Sequence, residues 1–259
     1  MIQPQLREHF QSQGYAFPTL RDIESSVPAL RGAIDRMLAE ESTQVIYEKD
    51  GETPRSLVDP QRHNSVFAAL ACSPELARAA IQVLGSDTYV FQLGVNLKQA
   101  FSGDIWYWHR DFPTYQHQDH IPANRMINVL IYLDDFNRDN GSFMVVPETH
   151  TGDSHHGQMS DMGTSHSLHY ASRQELSEAI EGQGITFLDG KAGTVIFMNT
   201  NLLHASGANL SNAPRRLITL TLNAIDNKAL KRSDRPELVM DDRDVRGTLQ
   251  SLDEKGQDA

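Results

Sequence analysis

Apolar positions follow two different rhythms along the chain, and the change comes near residue 87. Upstream, Leu6, Phe10 and Tyr15 open a first apolar pattern. Val27, Leu30, Ile34 and Leu38 recur at helical spacing, as do Leu76, Ala80 and Val83. Ser73-Pro74-Glu75 has the form of a helix start, with a capping hydroxyl followed by proline in the first turn. Downstream, the runs shorten and become rich in β-branched residues. Thr88–Phe91, Met126–Leu133, Ser142–Val146, Gly193–Met198 and Leu217–Leu222 read as strands, separated by the turn signals Asp139-Asn140-Gly141, Asp189-Gly190 and Asn212-Ala213-Pro214. Short strands following a helical N-terminal third predict a mainly β protein with flanking helices, its core a double-stranded β-helix (a cupin-like jelly roll). The expected organisation is one domain over residues 1–259, with a mostly helical part at 1–86 and the jelly-roll core at 87–225. Residues 151–171 break the rhythm, being rich in Gly, Ser and His with no period, and read as a functional loop inserted in that core.

Composition narrows the class. Hydrophobic residues make up 39% and charged residues 22% of 259 positions, as in soluble globular proteins. No run approaches the ~18 apolar residues of a membrane helix, and the first residues lack the apolar stretch of a secretory leader, so a cytoplasmic protein with no membrane partner is expected. The net charge of −11 disfavours nucleic acid as a partner. Part of that charge sits in an acidic tail at 241–259, expected to be peripheral. Cys72 is the sole cysteine, so thiolate metal sites and internal disulfides are excluded and any metal must take nitrogen and oxygen ligands. A small-molecule partner and a monomer or homodimer are the expectation.

Candidate chemistry centres on His109-Arg110-Asp111. On a strand, residues two apart share a face, so His109 and Asp111 could offer an imidazole and a carboxylate to one ion. His204, just beyond the strand ending at Met198, supplies a second imidazole. Two histidines and one carboxylate on one face of an octahedral metal leave positions open, the arrangement suited to iron(II) oxygen chemistry. Arg215 stands eleven residues after His204 and opens the last strand. Its planar fork would take a carboxylate in two places, as the distal carboxylate of 2-oxoglutarate requires, and Ser206 could add a hydroxyl. Arg216, on the opposite face, serves as the contrast. Trp106, Tyr107, Phe112 and Tyr115 surround the motif and could wall an apolar pocket.

The pattern extends further. Tyr47-Glu48-Lys49-Asp50-Gly51, Gln92 with Asn96-x-Lys98, Asn140-Gly141, Pro147…His150, His204-Ala205-Ser206-Gly207, Pro214-Arg215 and Arg235-Pro236-Glu237 occur in order around the triad. Across roughly residues 45–240 the chain resembles the phytanoyl-CoA-hydroxylase-like superfamily, and within it the bacterial ectoine hydroxylases and proline 4-hydroxylases. The resemblance implies iron(II) at His109, Asp111 and His204, with 2-oxoglutarate and O2 as co-substrates. It implies 2-oxoglutarate contacts from Lys98 and Arg215, with Ser206 and Asn96 beside them. It implies substrate contacts from Gln92, and we place Tyr115, Trp106 and Arg125 in the same group. The implied activity is hydroxylation of an unactivated C–H bond in a small free amino acid, imino acid or amino-acid-derived metabolite, with succinate and CO2 released. Alternatives are a tailoring oxygenase of a larger natural product, such as a cyclic dipeptide or alkaloid, and a non-catalytic jelly-roll binding protein. Arg110, Pro113, Tyr115 and His120 depart from the ectoine hydroxylase pattern, and Glu148 replaces a glycine of the family. The first four departures are expected to fall at the substrate pocket. His155, His156, His166 and His169 crowd the irregular loop, which is expected to act as a lid over the site.

Overall fold

The computed structural model describes residues 4–40, 45–103, 105–151, 159–160, 168–235 and 238–239. Helix α1 (Pro4–Gln13) leads to strand β1 (Tyr15–Ala16) and helix α2 (Arg21–Ala39). Strands β2 (Val45–Tyr47) and β3 (Pro54–Val58) precede helices α3 (Ser65–Ala71) and α4 (Pro74–Leu84). The remaining order is β4 (Thr88–Lys98), β5 (Trp106–His109), α5 (Phe112–His117), β6 (Met126–Tyr132), β7 (Phe143–Val145), β8 (Met159–Ser160), β9 (Leu168–His169), α6 (Arg173–Gln183), β10 (Thr186–Phe187), β11 (Val195–Asn199), β12 (His204–Ser206) and β13 (Arg215–Ala224).

The helices follow from their sequence. In α2 the buried residues Ile23, Val27, Leu30, Ile34 and Met37 recur at helical spacing and make one apolar stripe. The Ser73 hydroxyl accepts from the Leu76 backbone N–H to cap α4, and Gly85 closes that helix in the left-handed region at φ 69°. The stretch Ser65–Leu84 is long and apolar enough, by composition, to cross a membrane. It folds instead as two helices broken at Cys72-Ser73, and Phe67, Leu70, Leu76 and Ala80 bury against the sheet side of the molecule.

Two antiparallel sheets form the jelly roll, as expected. The larger has seven strands in the order β1-β11-β6-β13-β4-β3-β2, and the smaller has four in the order β10-β7-β12-β5. Alternation along the large sheet sorts side chains by face. Val95, Val129, Ile131, Phe197, Ile218 and Leu220 join the helices in the main core. Their neighbours on the other face look toward the small sheet and enclose a cavity.

The N-terminal third carries α1 to α4, and β1, β2 and β3 also lie within it and complete both edges of the large sheet. Strands of two to five residues carry no periodicity of their own, and tertiary pairing defines them. The loop at 151–171 and the tail at 241–259 lie mostly outside the described residues, which include neither 152–158, 161–167 nor 240–259. His155, His156 and His166 are therefore not placed. At the loop's C-terminal end, Leu168 lines the cavity and Tyr170 bridges to His109.

Candidate active site

His109 ends β5 and His204 begins β12, and the two are register partners across the small sheet. Each ring is oriented by the backbone two residues upstream: His109 Nδ1 lies 2.6 Å from the Tyr107 carbonyl and His204 Nδ1 lies 2.9 Å from the Leu202 carbonyl. A carbonyl only accepts, so each Nδ1 is the donor in its pair and each Nε2 faces the site. Phe143 stacks on His204 with ring centroids 5.2 Å apart.

Asp111 reaches the same point differently from the expectation. It lies two residues past the end of β5, in helical conformation, at the position preceding α5. The Asp111 and Phe112 backbone N–H groups both donate to the Thr200 carbonyl and fix that turn. Asp111 Oδ1 stands 3.4 Å from His109 Nε2, and Oδ2 stands 3.6 Å from His204 Nε2. The three ligand atoms lie within 4.8 Å of one another. Burial alone would raise the Asp111 carboxyl, but the facing His204 and His109, with the Asn128 amide, outweigh it and hold the group at about 2. His204 is pushed down to about 4, first by burial and then by His109. Near neutrality the cluster therefore offers an ionised carboxylate and a neutral imidazole lone pair from His204. Such a donor set fits a divalent iron with open positions.

Arg215 supplies the second half of the site. It opens β13 opposite Lys98 of β4 and is 1% exposed. Its Nη2 donates to the Gly141 carbonyl at 3.1 Å, and its guanidinium lies 4.4 Å from the centroid of the Phe136 ring. Nε and Nη1 are buried with no hydrogen-bond partner among the described residues. Burial pushes this guanidinium down to about 10. Burying a cation costs several kcal/mol unless it is paired, so two orphaned donors beside the triad fit an incoming carboxylate. Gly141 is itself required: at φ 81°, an added Cβ would meet the Gly207 carbonyl oxygen at 2.3 Å.

The triad and Arg215 share one cavity of about 150 Å³. Gln92, Asn96, Trp106, Tyr115 and Ser206, all anticipated from sequence, line it. Lys98 does not. It has the same strand phase as Gln92 and Asn96 and is the register partner of Arg215, but its Nζ is engaged, donating to the Gly207 carbonyl. It braces the backbone just after Ser206. Arg125 is likewise not among the lining residues. It precedes β6 and pairs at the surface with Asp226 at 2.7 Å, outside the cavity.

Of the four departures from the ectoine hydroxylase pattern, Tyr115 alone lines the cavity. Arg110 turns away and joins the carbonyls of Thr149 and Asn201 to Glu175 at the start of α6. His120 faces Asp234 at 3.4 Å.

Sequence reasoning gave no role to several lining residues: Ser56, Thr114, Asn128, Thr219 and Arg235. The signal for Asn128 and Thr219 was strand phase, since each interrupts an apolar run on the face that also carries Arg215 or Leu130. Arg235 was visible only within its motif. It binds Asp119 with Nε at 3.0 and 3.1 Å from the two carboxylate oxygens, and Nη2 adds a further bond. The Asp119 side chain is fully buried.

A jelly roll holding two imidazoles, a carboxylate and a buried arginine at one cavity defines a class, the iron(II)- and 2-oxoglutarate-dependent dioxygenases. Residues 10–217 match the phytanoyl-CoA dioxygenase (PhyH) family, and the chain belongs to it. It is 32% identical over 219 residues to the ectoine dioxygenase of Bordetella bronchiseptica, covering 79% of this chain and 70% of that protein. It is 31% identical over 223 residues to the L-proline trans-4-hydroxylase of Streptomyces griseoviridis, covering 81% of each. Among solved structures, EctD from S. alaskensis with 2-oxoglutarate and 5-hydroxyectoine superposes with a TM-score of 0.77 at 28% identity, over 92% of this chain and 83% of that one. The same protein with bound Fe gives 0.74 at 26% identity, over 89% and 80%.

Proposed function

We propose that the protein hydroxylates an unactivated carbon of a small free amino acid, imino acid or amino-acid-derived metabolite, consuming 2-oxoglutarate and O2 and releasing succinate and CO2. His109, Asp111 and His204 would hold iron(II). Bound iron supplies the oxygen activation, coupled to decarboxylation of the 2-oxo acid, and the protein supplies orientation and exclusion. The observation that carries this reading is the pair of orphaned donors on Arg215, buried in the same cavity as the triad. A zinc hydrolase or a bare binding scaffold built on the same three ligands has no use for them. Arg215 takes the distal carboxylate of 2-oxoglutarate, with Ser206 and Asn96 beside it.

The substrate end is formed by Gln92, Tyr115 and Arg235. Gln92 offers both a donor and an acceptor. Arg235 brings a cation partly offset by Asp119, suited to a substrate carboxylate. The volume of about 150 Å³ falls below the roughly 300–1,000 Å³ of pockets for drug-sized ligands, which favours a small substrate over a polycyclic natural product. The likeness to enzymes of ectoine and proline supports the same size class. The lone Cys72 and the absence of a thiol framework support a cytoplasmic location.

The test is a substrate screen by mass spectrometry with succinate measured in parallel. Proteinogenic amino acids, imino acids, ectoine, cyclic dipeptides and, as large comparators, terpenoids and polyketides form the panel. A product heavier by one oxygen, formed with equimolar succinate from a small member, is expected. Turnover confined to large terpenoids or polyketides would overturn the substrate assignment.

A further inference from the structure

A chain of polar side chains reaches Asp111 from the wall of the cavity. Asn128 is fully buried in β6, an otherwise apolar strand apart from the phenol of Tyr132. Its Nδ2 donates to Asp111 Oδ2. Its Oδ1 accepts from Thr221 Oγ1 at 2.8 Å, and Thr221 Oγ1 lies 3.4 Å from the Tyr115 hydroxyl. Thr221 is the register partner of Asn128 on one side and of Gln92 on the other.

The direction of these bonds is determined. An ionised carboxylate can only accept, so Asn128 must turn its NH2 toward Asp111 and its carbonyl toward Thr221. Thr221 has one hydroxyl proton, and Asn128 takes it. The Tyr115 phenol, kept protonated by burial, is then the donor to Thr221. Every donor runs one way, from phenol to hydroxyl to amide to carboxylate, and bonds in such a chain reinforce one another.

We propose that Asn128, locked by Thr221, is a positioning residue that holds one oxygen of Asp111 so that the carboxylate binds metal through the other. An aspartate chelating through both oxygens would occupy a position the co-substrates need. The chain also ties the orientation of the carboxylate to Tyr115 in the substrate wall. The inference rests on the assignment of His109, Asp111 and His204 as metal ligands.

Co(II) alone, titrated calorimetrically into the metal-free full-length protein, tests it, with the visible Co(II) absorption as a second readout. Asn128→Leu is expected to weaken Co(II) binding by about 10–100-fold, the usual cost of losing an outer-shell partner, and to alter the Co(II) bands. Thr221→Val, nearly isosteric, is expected to do the same to a lesser degree, and Thr221→Ser to restore wild-type values. Circular dichroism and melting establish that each variant is folded. Should Asn128→Leu fail to fold, Thr221→Val against Thr221→Ser decides. Asp111→Ala separates the two levels of the claim. If it loses Co(II) while folded Asn128→Leu or Thr221→Val keeps wild-type affinity and spectrum, the positioning role is overturned and the ligand assignment stands. If Asp111→Ala itself binds Co(II) like wild type, the ligand assignment falls and the positioning role with it.

Discussion

Arg215 and Arg216 are adjacent on β13, yet they occupy opposite electrostatic worlds. Arg216 lies on the helix side of the large sheet. It is paired bidentately with Asp134 at 2.9 and 2.8 Å and reaches Asp35 at 3.2 Å, and these contacts raise its pKa. Arg215 faces the cavity with two donors unpaired among the described residues and a depressed pKa. One residue of strand phase separates a satisfied structural ion pair from a cation held in reserve. The same division runs through the sheet. The helix-facing side is filled by Val95, Val129, Ile218 and Leu220, while the cavity-facing side carries Asn96, Asn128, Thr219 and Thr221. A sheet can devote one face to stability and the other to chemistry because the pleat keeps them apart.

The largest effects are expected at the extreme of the cavity face. His109→Ala, Asp111→Ala and His204→Ala should each abolish 2-oxoglutarate turnover while circular dichroism shows a retained fold. Full succinate formation by any one variant would remove that residue from the triad. Next in size is the arginine pair. Arg215→Ala should cost about 2–5 kcal/mol in 2-oxoglutarate binding, hence a KM rise of roughly 30-fold or more. Arg216→Ala should leave that KM nearly unchanged and lower thermal stability modestly. Equal KM effects from the two would mean that the face assignment of β13 is wrong.

The sheet-face contrast predicts the converse pattern for uncharged residues. Leu220→Ala should cost about 2–5 kcal/mol of folding stability, as a large-to-small core change does, with kinetic constants little altered. Thr219→Val should leave the denaturation midpoint close to wild type and change the KM for 2-oxoglutarate, since the Thr219 hydroxyl accepts from Asn96. A large stability loss at Thr219 together with none at Leu220 would invert the comparison.

The smallest effect is on pH dependence. His204 is depressed from its usual range to about 4, so between that value and about 6.5 the unfolded chain binds more protons than the folded one. Metal-free protein should therefore lose stability as pH falls through that window. His204→Asn should flatten this part of the curve, measured as melting temperature against pH. An unchanged slope would show that His204 protonates as readily in the folded state.

Much of this division was legible in the sequence. The triad could be read because His-x-Asp and a distant His were followed at a fixed interval by Arg215, and side-chain type carries that information without a structure. Strand phase separated Arg215 from Arg216 correctly. Phase also failed, for definite reasons. Lys98 has the right parity and pairs with Arg215, but parity does not say that the Gly207 carbonyl, 109 residues away, takes its ammonium. Arg125 lies before the first residue of β6, so no strand face applied to it. Asp111 was placed on a strand, whereas the chain turns into α5 there, held by the Thr200 carbonyl, a partner 89 residues away that local pattern cannot supply. The short strands β1 to β3 and the link from Asn128 to Asp111 likewise depend on contacts between distant segments.

Iron(II) on the triad and a carboxylate on Arg215 should meet in one cavity. Anaerobic titration of 2-oxoglutarate into the Fe(II)-loaded protein, followed by visible absorption, tests this most directly. A metal-to-ligand charge-transfer band that requires Fe(II) and 2-oxoglutarate together should appear. It should saturate at one equivalent, disappear in His109→Ala, and need far more 2-oxoglutarate in Arg215→Ala but not in Arg216→Ala. Absence of the band in the wild-type protein, or the same titration curve for both arginine variants, would contradict it.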